Sequence, residues 1–304
     1  MNEKDLLIVK KNLIEEYNRN HLYNVEYFYD LFSANINLNN VEIIQGPDVY
    51  VGKDQVIDIV KRFFNSISED YELEFEKYLS NEKINFNSKE SACWGNVFKD
   101  KFLNIGLKSR NNLEDVFSLT HEFFHVLSSK KCNKKYTQTK ELFSELPPIL
   151  AELFLIDFFK ENGFDSSKYK ETRIRYVINN VAILTDFTKL YYLANANSFT
   201  IEKISELFND RGDKYINSLL KSILQNKIDL DDCIKHTFPL LIALKLKEKN
   251  IPKEKLIELT NNLWTKDVHE YEKIIGIDFD SINPKDSSFF KESVDGFLSV
   301  KRHK

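Results

Sequence analysis

Leu119-Thr120-His121-Glu122-Phe123-Phe124-His125-Val126 is the stretch on which the fold and the chemistry turn. It holds His-Glu-x-x-His. On an α-helix, residues four apart share a face and are separated by about 6 Å along the axis. Both imidazoles can therefore reach one metal ion, and Glu122, next to the first of them, can take a proton from a metal-bound water. Histidine is scarce, with six in 304 residues, so the pairing is informative. The flanks (Val116, Phe117, Leu119, Phe123, Phe124, Val126 and Leu127) are apolar, which predicts a buried helix and not a solvated one.

Bulk properties set the surroundings. Hydrophobic content of 42% and charged content of 30% are those of a globular protein. A net charge of −4 leaves no electrostatic footprint for nucleic acid. With only 8 glycines and 6 prolines, the chain lacks the punctuation of a β-rich fold and is expected to be mainly helical. Cys93, Cys132 and Cys233 are widely spaced and odd in number, which suggests a reducing, cytoplasmic compartment and not a disulfide frame. The start, Met1 to Asp5, does not read as a signal peptide, and no run approaches the ~20 apolar residues of a membrane span.

Outward from the motif, Asn111 to Asp115 offers a cap and early acids for the helix, which is expected to run to about Ser129. Just upstream, residues 91–98 and 101–107 read as two short strands joined near Asp100 and Lys101, with an edge strand placed to pair with an extended peptide. Lys130 to Lys140 is a polar loop. It leads to Glu141-Leu142-Phe143-Ser144-Glu145-Leu146-Pro147-Pro148-Ile149-Leu150-Ala151-Glu152. A catalytic zinc site takes three protein ligands and leaves one position open. Glu145, 20 residues after His125, has room for a loop and a returning helix. Glu141 and Glu152 are its rivals, or partners that orient a histidine. Pro147-Pro148 would kink or start a helix.

Further helices are expected over 3–18, 21–33, 53–66, 68–79, 171–196, 200–208, 212–226, 231–248, 253–264, 267–274 and 287–300, with a break at Gly276 to Asp280. The stripe Tyr23, Tyr27, Phe28 and Phe32 reads as core, and the acids between Ser68 and Leu79 as a solvated face. There is no internal repeat, so one continuous domain over 1–304 is the simplest organisation.

The segments now in place resemble the oligoendopeptidase F and thimet oligopeptidase family of zinc peptidases, in its catalytic half. Lys89 to Gly106 is similar to the family's Lys-x-x-Gly-Ala segment and following strand. Asn111 to Val126 resembles the approach to its His-Glu-x-Gly-His. Phe143 to Glu152 resembles its Phe-x-Glu-x-Pro-Ser segment, with the match at Glu145. Gly276 to Phe290 resembles its Gly-Ile-Asp ending. The likeness covers roughly residues 53–300, with residues 1–52 as an N-terminal helical segment. It implies a mainly α zinc-peptidase domain with a small β-sheet beside the motif helix. It also implies one Zn²⁺ on His121, His125 and Glu145, Glu122 as base, and short peptides as substrates. A dedicated processing peptidase, or a non-catalytic zinc- or peptide-binding descendant, is the alternative.

Three departures stand out. Phe124 replaces the family's glycine. The family enzymes are about twice as long. Residues 231–243, where the alignment places the family's oxyanion-binding histidine and tyrosines, contain no tyrosine. There His236 is the candidate donor beside Thr237, with Tyr191 and Tyr192 as further candidates.

Overall fold

Few glycines and prolines leave helices little interrupted, and helices carry most of the described chain. A computed structural model of the protein describes residues 2–19, 23–36, 47–94, 104–130, 141–196, 198–209, 211–286 and 288–298. In chain order the helices are α1 (Glu3–Tyr17), α2 (Val25–Asn35), α3 (Lys53–Ile67), α4 (Glu69–Ser80), α5 (Glu114–Ser129), α6 (Leu146–Glu161), α7 (Ser167–Asn195), α8 (Ile201–Leu207), α9 (Asp213–Leu224), α10 (Leu230–Glu248), α11 (Lys253–Asn262), α12 (Val268–Ile275) and α13 (Ser288–Leu298). Between α4 and α5 lie β1 (Ile84–Asn85), β2 (Asn87–Trp94) and β3 (Asn104–Lys108). The fold is mainly α with a small mixed sheet, as the composition predicts. Among the described residues, no helix is long and apolar enough to cross a membrane.

The chain divides into two compact units. One comprises residues 1–40, 176–237 and 283–289, and the other 41–175, 238–282 and 290–304. In the first, α9 buries Ile216, Leu219, Leu220 and Ile223, a single helical stripe. Its last carbonyls, Ile223 and Leu224, accept from the Asn12 amide of α1 at 3.1 and 3.3 Å, which satisfies groups that a helix end leaves open. Tyr23, Phe28 and Phe32 are buried, as their stripe predicts. His21 lies outside the described residues.

The second unit is built on an aromatic core. Phe63 and Phe64 of α3, Tyr71, Phe75 and Tyr78 of α4, and Phe123 and Phe124 of α5 are all buried. Phe64 packs on Phe75, Phe123 and Phe124 with ring centroids 5.0–6.0 Å apart. Tyr71 meets Phe124 edge to face at 5.8 Å. Such pairs add to the large area each ring buries. Phe124, where the resembled family has glycine, is therefore a core residue on the side of α5 that faces α3 and α4. Several acids of α4 (Glu69, Asp70 and Glu76) are exposed, as expected.

The entry to α5 meets the capping expectation in part, since the Asn112 side chain accepts from the Glu114 N–H at 3.0 Å. Its N-cap is Leu113, without a side-chain cap. Buried Asp115, in the first turn, instead reaches back and accepts from the backbone N–H groups of Arg110 and Asn111 at 2.9 and 2.8 Å and from the Ser109 hydroxyl at 2.8 Å. One carboxylate thereby holds the loop that enters the motif helix.

The sheet also corrects the sequence. Its order is β1-β3-β2, with β1 parallel and β2 antiparallel to β3. The strand at Asn104–Lys108 is therefore central. At Ile105 and Gly106 it pairs on both sides, with Ile84 and Asn85 and with Cys93 and Ala92. It cannot add a substrate strand there. The two-residue β1 carried too little pattern to be foreseen. The expected junction near Asp100 and Lys101 lies outside the described residues.

Candidate metal centre

The helical spacing of the motif puts His121 and His125 on one face of α5. Their Nε2 atoms lie 3.2 Å apart. Glu145 approaches from the start of α6, where it is the N-cap residue but makes no side-chain cap. Pro147 and Pro148 sit in the first turn of α6, where a missing N–H costs nothing, so they start the helix and do not kink it. That start fixes Glu145 against α5. Its Oε2 lies 3.1 Å from His121 Nε2 and 3.5 Å from His125 Nε2, and the residue is 4% exposed.

Among the described residues, His121, His125 and Glu145 are the one group of three His, Cys, Asp or Glu side chains close enough to hold a single ion. The spacing can be tested against metal geometry. Ligands at 2.0–2.1 Å in a tetrahedron stand about 3.3 Å from one another. The three separations of 3.2, 3.1 and 3.5 Å bracket that value. Two imidazole nitrogens with one carboxylate oxygen also make the donor set of an open, three-ligand zinc site.

Glu152 lies two turns along α6 from Glu145, on the same face. Its Oε1 is 2.8 Å from His121 Nδ1, the ring atom opposite the cluster. Its Oε2 accepts from the Tyr169 hydroxyl and from the Arg173 guanidinium, both on the first turns of α7, with Arg173 Nε at 3.1 Å. Glu152 is thus an orienting partner of a histidine, one of the two roles its position in the sequence left open. Glu141 is not a member of the group.

These contacts set the charges of the metal-free chain. Burial works against an ionised Glu145, but the two imidazoles outweigh it and hold its carboxyl well below the usual range. Burial likewise opposes charge on Glu152, and Arg173 and His121 bring it down to about 2. Burial pulls the His121 imidazole down, yet hydrogen bonds to Glu145 and Glu152 and their charges carry it up to about 10. Without metal, a proton on His121 is the counter-charge that the two glutamates call for.

The remaining candidates stand as follows. Glu122 follows His121 on α5 and is only partly buried. His236 belongs to the other compact unit, on α10, with Nε2 3.3 Å from Asp232 Oδ1 and its ring edge to face with Tyr176. Tyr191 and Tyr192 are in that unit too, and their hydroxyls bond Asn18 and Glu26 at 3.2 Å each. The sequence did not reveal Tyr169 and Arg173. Arg173 falls in the helix expected over 171–196 and Tyr169 just before it, and the only available signal of a role was their i, i+4 spacing.

Comparison with solved structures shows a likeness at the level of fold. A protein assigned as oligoendopeptidase F superposes with a TM-score of 0.60 at 12% identity, covering 99% of this chain and 59% of its own. PZ peptidase A, solved with an inhibitor, gives 0.58 at 14% identity, covering 98% of this chain and 58% of its own. A protein assigned as oligoendopeptidase F from Bacillus anthracis gives 0.53 at 13%, covering 98% and 56%. The chain thus spans little more than half the length of these structures. No family model and no curated protein matches the sequence.

Proposed function

We propose that the chain is a zinc metallopeptidase that hydrolyses short peptides in a reducing, cytoplasmic compartment, with His121, His125 and Glu145 holding one Zn²⁺. The observation that carries this is the convergence of two imidazole nitrogens and a buried carboxylate at 3.1–3.5 Å, beside a glutamate fixed in the motif by sequence. Bound there, zinc would supply a Lewis acid and a water acidified toward neutral pH. The chain's own residues do the rest. Glu122 takes the proton of the attacking water and returns it to the leaving amine. Glu152 fixes the ring of His121, so that Nε2 presents its lone pair to the metal position.

The test is digestion of a diverse peptide mixture by the zinc-loaded chain and by Glu122→Gln, followed by mass spectrometry. The wild type is expected to cut. The variant should hold equal zinc and lose 10²–10⁴-fold in rate. A wild-type chain with one zinc that cuts no peptide would instead mark a zinc-containing binding protein that has kept the fold.

A further inference from the structure

We propose that Arg173 is a positioning residue for the metal-binding imidazole of His121, acting through Glu152; this rests on the metal-centre reading above. The contacts form one relay across three helices. His121 of α5 meets Oε1 of Glu152 on α6 at 2.8 Å. Oε2 of the same carboxylate meets the guanidinium of Arg173 on α7, through Nε at 3.1 Å and through Nη2. Tyr169, one turn before Arg173, donates its hydroxyl to the same oxygen and accepts from Arg173 Nε at 3.2 Å. Its ring is stacked on Phe117 of α5 at 3.5 Å, so the relay is also packed against the helix it serves.

Each link has a physical consequence. A carboxylate held by one imidazole alone could rotate about its last bond, and the ring would follow. Engagement of Oε2 by two donors from a second helix removes that freedom and leaves Oε1 aimed at Nδ1. A hydrogen bond from Nδ1–H to a charged acceptor then fixes the tautomer in which Nε2 is bare. The pair is not a surface ornament, since the side chains are only 12% and 5% exposed. A carboxylate so buried needs a compensating cation, and a guanidinium supplies it with directed donors that an ammonium lacks. Arg173 thus sets where His121 points without touching the metal position.

Zinc affinity decides the matter, measured by chelator competition on variants shown to be folded by circular dichroism, together with the visible spectrum of the cobalt-substituted chain. Arg173→Met is expected to bind zinc 10–100-fold more weakly and to shift the cobalt bands. Arg173→Lys should recover part of the loss. If Arg173→Met does not fold, the neutral pair Glu152→Gln with Arg173→Met takes its place with the same expectation. Glu171→Gln is the control, because it removes an equally buried acid on α7 that pairs with Lys168 and Arg175, and it should bind zinc within twofold of wild type. Zinc binding within twofold of wild type in the Arg173 variant, or a loss as large in the Glu171 control, overturns the role. A wild-type chain that takes up no zinc would sink the metal centre itself, and this role with it. Loss confined to the variants is the only result that supports both.

Discussion

Glu152 and Asp186 are both buried acids with an arginine and a tyrosine at hand, one in each compact unit. Asp186 accepts from the Tyr215 hydroxyl at 2.6 Å, with Arg211 at 3.8 Å and Lys189 at 3.9 Å. Those cations are 29% and 39% exposed, so that cluster ends in water. Glu152 differs in one partner. Its second oxygen meets an imidazole whose far nitrogen sits among converging ligand atoms. Burial of charge is therefore not in itself a mark of function. What the charge leads to decides whether the cluster serves folding alone or also chemistry.

The contrast can be broken at several points. The largest effect is expected at Glu145→Ala, which should abolish stoichiometric zinc, a loss exceeding the 10–100-fold typical of an orienting partner. Equilibrium dialysis checks this, and retention of zinc would show that another residue completes the site. Next in size is Phe124→Ala. Truncating a fully buried phenylalanine costs about 3–5 kcal/mol, read by denaturant unfolding, while zinc affinity of the folded fraction should hold. Phe124, where the resembled family has glycine, is then a matter of core packing on α3 and α4.

The pH dependence separates the clusters more finely. In the metal-free chain Glu145 and Glu152 are depressed, so their stabilisation is complete above the ordinary carboxylate value of about 4.3 and is lost at lower pH, for Glu152 as pH falls toward 2. His121 is raised, so its contribution is complete below about 6.5 and is lost as pH climbs toward 10. Metal takes the place of that proton, and its binding strengthens with pH. The unfolding free energies of zinc-loaded and metal-free chain should therefore diverge from pH 6 to 9, by up to about 1.4 kcal/mol per pH unit. A constant gap would mean that His121 does not exchange a proton for metal. The smallest effect is expected at Asp186→Asn, about 1–2 kcal/mol in stability for a weakened bond to a charged group, with zinc affinity unchanged.

Much of this was legible in the sequence because its signals were local. The His121–His125 spacing survives any packing that keeps the helix. Pro147-Pro148 marked either a kink or a helix start, the structure makes it a start, and a residue just before a helix start is well placed to face its neighbour, as Glu145 does. The apolar flanks of the motif correctly foretold a buried helix. What escaped was non-local. Tyr169 and Arg173 lie 17 and 21 residues beyond Glu152, at the start of α7 among lysines and a glutamate that give the segment a polar cast. The place of β3 in the sheet depended on a parallel partner of two residues, Ile84–Asn85, too short to carry an alternation. Asp115 was read as an early acid for the helix dipole, yet it grips the preceding loop, because in a short connection a carboxylate can satisfy three donors at once.

X-ray absorption at the zinc edge, on the wild-type chain loaded with one equivalent, tests the metal centre most directly. Two imidazole nitrogens and one carboxylate oxygen at 2.0–2.2 Å, with a further light-atom ligand completing four, are the predicted environment. Fewer than two imidazoles, or any sulfur ligand, would contradict the site formed by His121, His125 and Glu145.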